Sequence, residues 1–110
     1  MMNAAADDRY HLVFCTAPTR DSAETIANAL VDQRLAACVN ILPGVRSVYL
    51  WQGQREHSDE LLLLIKARAA TYPALEQAIL ALHPYELPEI IAVSLDAGLP
   101  RYLAWIAATT

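Results

Sequence analysis

Residues 37–68 read ACVNILPGVRSVYLWQGQREHSDELLLLIKAR, and this stretch decides the fold. Ala37 to Trp51 reads as one long strand with a break. Proline has no backbone N–H and glycine tolerates unusual torsions, so Pro43-Gly44 predicts a bulge or a bend there. Gln52-Gly53-Gln54 reads as the turn, and Asp59 to Arg68 as the return strand. The unbroken run Leu61 to Ile65 predicts a strand buried on both faces. The two strands form a hairpin longer than a small domain needs. Pairing with another subunit is one use for such an arm.

Upstream, Arg9 to Thr16 (RYHLVFCT) is rich in β-branched and aromatic residues and predicts a strand. Ala17-Pro18-Thr19 breaks it. Asp21 stands three residues before Glu24, a spacing that places a helix start nearby. Ala23, Ile26, Ala27, Leu30, Val31 and Leu35 follow helical periodicity and form one apolar face. Downstream, Thr71 to His83 predicts a second helix with Pro73 in its first turn and a buried stripe of Leu75, Ala78, Ile79 and Leu82. Pro84 ends it. Glu89 to Leu95 predicts the last core strand, and Pro100 to Ala107 a short terminal helix.

The order β-α-β-β-α-β plus a helix is the ferredoxin-like split βαβ pattern of an α+β sandwich. Each crossover holds a helix, as parallel neighbours require. The helices are expected on one face of the sheet, leaving the other apolar and bare in a monomer. Met1 to Asp8 is small, polar and acidic and reads as a disordered lead-in. The remainder, 9–110, reads as one domain.

Bulk composition narrows the function classes. The chain is 55% hydrophobic, with mean hydropathy +0.25, above the roughly 45–50% apolar content usual for soluble chains. In so small a domain the surplus points to an interface between identical subunits. Eight Lys and Arg against twelve Asp and Glu leave a net charge of −4 with no basic run, which argues against a nucleic-acid partner. The run Leu61 to Ile65 is far short of the roughly 20 residues that span a bilayer, so no membrane partner is expected. Asp7 and Asp8 stand where a secretory signal carries basic residues. The expectation is a cytoplasmic protein, with Cys15 and Cys38 as free thiols.

Several segments then align in order with one family. They are Cys15-Thr16-Ala17-Pro18, Leu35-Ala36-Ala37-Cys38, Ser47-x-Tyr49-x-Trp51-x-Gly53, Ile65-Lys66, His83-Pro84-Tyr85-x-x-Pro88-Glu89 and Tyr102-Leu103-x-Trp105-Ile106. Together they resemble the CutA family, linked to divalent-cation tolerance, from about Leu12 to Ile106. The resemblance implies a ferredoxin-like fold and a PII-like homotrimer in which long hairpins pair across subunits. It also implies cytoplasmic bacterial members that bind divalent metal cations, Cu(II) most often, and no established enzymatic activity. Leu82 stands where some copper-binding members carry a second histidine.

Cys15, His83 and Glu89 are the candidate metal ligands, because thiolate, imidazole and carboxylate suit copper, zinc and similar ions. Their spacing matches no metal motif such as CxxC or HExxH. In a single subunit Cys15 and His83 are expected at opposite edges, to meet only across a subunit boundary. Structural roles are open for both: Cys15 as a small buried hydrophobe, His83 as a helix-end residue. Cys38 reads as core. The HPYELPE segment, stiffened by Pro84 and Pro88, reads either as a ligand or metal pocket or as an interface plug with Tyr85 packed on a neighbour. Trp51 reads as an interface anchor. Lys66, with Thr16 or Arg20, is a candidate anion holder for a small-ligand-binding signalling trimer. An acylphosphatase-like enzyme would need an arginine cradle and an asparagine, for which Arg20 and Asn40 are the candidates.

Overall fold

The computed structural model describes residues 9–110; the expected lead-in Met1 to Asp8 lies outside them. The elements run β1 (Tyr10–Ala17), α1 (Arg20–Asp32), β2 (Cys38–Trp51), β3 (Gln54–Arg68), a 3-10 turn (Ala69–Thr71), α2 (Tyr72–Leu82), β4 (Ile90–Ser94) and α3 (Pro100–Thr109). This is the ferredoxin-like α+β order. The sheet order is β2-β3-β1-β4, and every adjacent pair is antiparallel. No two parallel strands are hydrogen-bonded neighbours, contrary to expectation. β3 lies between β1 and β2, and β1 lies between β3 and β4, so α1 and α2 each connect strands separated by one.

The hairpin is longer than the residue types alone indicated. β3 begins at Gln54 rather than Asp59, because the turn is only two residues long and Trp51 pairs directly with Gln54. Gln52 and Gly53 both have positive φ, 52° and 79°, as a two-residue turn needs if it is to match the strand twist. The expected irregularity at Pro43-Gly44 is a register shift between Leu42 and Val45.

α1 is capped two residues before Asp21, the start read from the Asp21–Glu24 spacing. Its cap is Thr19: the Thr19 hydroxyl accepts from the Ser22 N–H at 3.1 Å, and the Ser22 hydroxyl accepts from the Thr19 N–H at 3.2 Å. Glu24 instead pairs with Arg20 at 3.0 Å. The helices α1 and α2 lie on one face of the sheet, where Ile26, Leu30, Leu75 and Ile79 pack on Val13, Cys15, Leu63 and Ile65. Val31 and Leu82 fall outside this core and are exposed, although their neighbours Leu30 and His83 are buried.

Side chains alternate across a strand. Leu63 and Ile65 are fully buried under the helices, while Leu62 and Leu64 face the other way and are half-buried. That second face is not wholly bare: α3 covers one end of it, where Ile106 packs with Tyr10 and Ala37. Cys38 opposes Lys66 on this second face, so it is half-buried and not in the main core. Ile91 and Val93 of the edge strand β4 share this face opposite Phe14 and Leu12 and are 58% and 48% exposed. β4 is therefore an edge strand with an open face, not a strand of the core. No helix among the described residues is long and apolar enough to cross a membrane.

Two substitutions separate core packing from turn geometry. Leu63→Ala removes a fully buried side chain and is expected to cost about 3 kcal/mol. Gly53→Ala meets no atoms within 4 Å, so only its left-handed torsion is penalised, by about 1 kcal/mol. Denaturant unfolding midpoints of the two variants check the order.

Candidate functional site

α2 ends at Leu82 because Pro84 disfavours helical torsions in the residue before it. His83 accordingly takes φ −73° and ψ 137°, with its N–H still bonded to the Ile79 carbonyl. This turn swings the imidazole over the end of β1. Nε2 lies 2.7 Å from the Thr16 carbonyl oxygen, and Nδ1 lies 3.0 Å from the Tyr85 N–H. A carbonyl only accepts, so Nε2 carries the proton and Nδ1 receives the Tyr85 N–H. Both ring nitrogens are thereby engaged, and His83 is buried.

Tyr85 follows two residues later, its ring 4.9 Å from that of His83. Its hydroxyl donates to Glu60 Oε2 at 2.8 Å. Burial, then the bond to Glu60, pushes the phenol up to about 12. The Tyr85 hydroxyl is thus held within its own chain. Glu60 itself is 7% exposed. Beyond it, Tyr49 and Ser58 share a hydroxyl–hydroxyl bond at 2.7 Å.

The expected placement of Cys15 and His83 at opposite edges is incorrect. β1 and α2 run in the same direction, and the Thr16 carbonyl that holds His83 is next in sequence to Cys15. Glu89 stands just before β4, whose Ile90 pairs with Cys15. All three candidate ligands thus gather at one end of a single subunit. Burial, then Glu89, then Glu60, pushes the Cys15 thiol up to about 12. Among the described residues, no group of three or more His, Cys, Asp or Glu is arranged to hold a metal ion. In this arrangement the donors are of the right type, but the imidazole has no free nitrogen and the thiol keeps its proton.

Lys66, Thr16 and Arg20 do not converge. Lys66 bonds Asn40 and lies 4.0 Å from the Cys38 sulfur. It opposes Leu12, whereas Thr16 opposes Leu62, about 13 Å away along the strand. Arg20 and Asn40 are each committed to other partners, Glu24 and Lys66, and form no cradle.

Between the hairpin and the His83–Glu89 loop lies a cavity of about 940 Å³ lined by both. Trp51, Tyr49 and Glu60 contribute to its walls along with Tyr85 and Glu89. Sequence reasoning missed Glu60. Its signal is parity: Glu60 shares a face with Leu62 and Leu64, so a carboxylate there enters an apolar surface.

Comparison with known proteins agrees with this architecture. The family model described as "CutA1 divalent ion tolerance protein" matches residues 11–109. The divalent-cation tolerance protein CutA of Thermus thermophilus is 48% identical over 99 residues, covering 90% of this chain and 96% of that protein. Protein CutA of Mus musculus is 42% identical over 97 residues, covering 88% of this chain. The chain spans about half the length of the mouse and Arabidopsis thaliana relatives, 55% and 54%. The crystal structure of CutA from Xylella fastidiosa superposes with a TM-score of 0.90 at 50% identity, covering 92% of this chain and 97% of that one. With the split βαβ sheet, the long hairpin and the HPYELPE loop all matched over this length, the chain belongs to the CutA1 divalent ion tolerance protein family.

Proposed function

We propose that this protein acts in divalent-cation tolerance as a cytoplasmic homotrimer that binds copper or a similar divalent ion, with Cys15, His83 and Glu89 as donors. Family membership supports the link to divalent cations, through relatives named for that tolerance and not for a reaction. The observation that carries the assembly is the half-covered sheet face. Leu42, Ile91 and Val93 are exposed there, beside half-buried Phe14, Leu62 and Leu64. So much contiguous apolar surface is characteristic of an interface. β2 also leaves its outer edge, over 14 residues, without a partner strand among the described residues, a template for pairing with a second copy. Two free thiols accord with a reducing compartment.

The metal reading follows from the three donors lying at one end of the subunit. Binding is coupled to two local changes: Cys15 gives up its proton, and His83 exchanges a hydrogen bond for the ion. A small-ligand-binding trimer, similar to nucleotide-binding regulators of this fold, is the second reading. The cavity of about 940 Å³ favours it, although its acidic lining suits nucleotide phosphates poorly.

Native mass spectrometry is expected to give three subunits, and Leu64→Asp is expected to yield monomers with the fold retained. A wild-type monomer at micromolar concentration would overturn the assembly. For the metal, a thiol held near 12 is protonated throughout the neutral range, and thiolate rises tenfold per pH unit. Titration calorimetry with Cu(II) between pH 6 and 8 is therefore expected to show affinity rising about tenfold per unit, with that part of the slope lost in Cys15→Ser. An identical slope in both proteins would remove Cys15 from the ligand set.

A further inference from the structure

The loop that follows α2 is fastened by side chains. Pro84 and Pro88 have no N–H to donate. Among the described residues, none of 84–89 makes a backbone-to-backbone hydrogen bond. Pro84, Glu86, Leu87 and Glu89 are exposed. A segment with so few backbone ties opens locally at low cost unless something else holds it.

Two bonds hold it. The His83 Nε2–H donates to the Thr16 carbonyl at 2.7 Å, and the Tyr85 hydroxyl donates to Glu60 Oε2 at 2.8 Å. The Tyr85 N–H, bonded to His83 Nδ1 at 3.0 Å, couples the two. Glu60 belongs to β3 and pairs with Val45, so this anchor does not move with the loop. A hydrogen bond to a carboxylate is stronger than one between neutral groups.

Cys15 lies beside the first of these ties. Its thiol donates weakly to the same Thr16 carbonyl, at 3.7 Å, so thiol and imidazole share one acceptor. Cys15 is fully buried in the cluster formed by the sheet with α1 and α2. Those packed elements are held by ladders and helical bonds, whereas the imidazole and its loop have the fewest ties. A solute that reaches the sulfur in the folded protein displaces this part first.

We propose that the His83–Glu89 loop is a gate beside Cys15 and that the Tyr85–Glu60 bond is its latch. While the bond holds, His83 stays seated on the Thr16 carbonyl. When it releases, loop and imidazole move away together and the thiol becomes reachable. This deepens the metal reading and rests on it for its purpose, since Cys15 and His83 become available as donors in the open form. Tyr85 and Glu60 are positioning residues and touch no ion.

The test needs no metal. Methyl methanethiosulfonate, a small neutral thiol reagent, is added to the assembled full chain at pH 8. Labelling of Cys15 is followed by peptide mass, so that Cys38 is scored separately. The rate then reports how often the thiol is exposed. Tyr85→Phe keeps the ring and loses only the hydroxyl; it is expected to label at least about tenfold faster, as for loss of a bond to a charged acceptor. Glu60→Gln keeps an acceptor and is expected to stay within about threefold of wild type. The acceleration in Tyr85→Phe is expected to be independent of urea below the unfolding transition. Local opening exposes little surface, whereas labelling through global unfolding rises steeply with urea.

Equal Cys15 rates in Tyr85→Phe and wild type would overturn the latch, including the case in which a neighbouring subunit pins the loop. An acceleration that grows with urea would overturn it too, as would a Glu60→Gln rate equal to that of Tyr85→Phe. Copper calorimetry on the wild-type protein tests the donors separately. Loss of the metal reading leaves these labelling rates unchanged, and failure of the latch leaves copper binding to be measured on its own.

Discussion

β3 is paired on both sides, and this one constraint organises the molecule. With β1 on one edge and β2 on the other, its backbone cannot rotate, so its side chains must divide strictly between two faces. Leu63 and Ile65 go to the helices and make the core. Leu62, Leu64 and Glu60 go to the opposite face. The first two leave an apolar surface that one chain only partly covers, and the third sets a carboxylate at its margin. Fold, assembly surface and cavity are thus three consequences of one strand's register. A slip of one residue would exchange the core and the open face.

The His83 loop is built against that frame. Pro84 breaks α2, the imidazole spans Thr16 and Tyr85, and Tyr85 reaches Glu60. Helix end, first strand and third strand are joined through His83, Tyr85 and Glu60. A hydrogen-bonded network of this kind stiffens the loop. It explains how a loop with two prolines can wall a cavity without regular structure. It also explains why His83 is unavailable as a ligand in this state, although its residue type suits a metal.

Much of this was legible in the sequence. The element order, the break at Pro43-Gly44 and the over-long hairpin follow from periodicity and from the chemistry of proline and glycine. The Thr19–Ser22 cap was missed because Asp21 and Glu24 offered a competing spacing two residues further on. The meeting of Cys15 and His83 was misread because it depends on the relative direction of β1 and α2, which no local pattern records. Leu82 shows the same limit: helical spacing assigned it to the buried stripe, but in the fold it is exposed while the next residue, His83, is buried. Glu60 was overlooked because a lone carboxylate beside LLLLI looks like a strand terminus. Only the two-residue turn, which extends β3 back to Gln54, makes it an interior position.

The central claim is that the face and edges left open in one subunit are closed by identical subunits. Residue-resolved amide hydrogen exchange on β2 tests it most directly. Every second amide of Cys38–Trp51 points away from β3 and has no partner strand among the described residues. If neighbouring subunits pair there, those outward amides exchange as slowly as the inward ones. Outward amides exchanging at the rate of an unprotected chain, beside protected inward ones, would contradict the account.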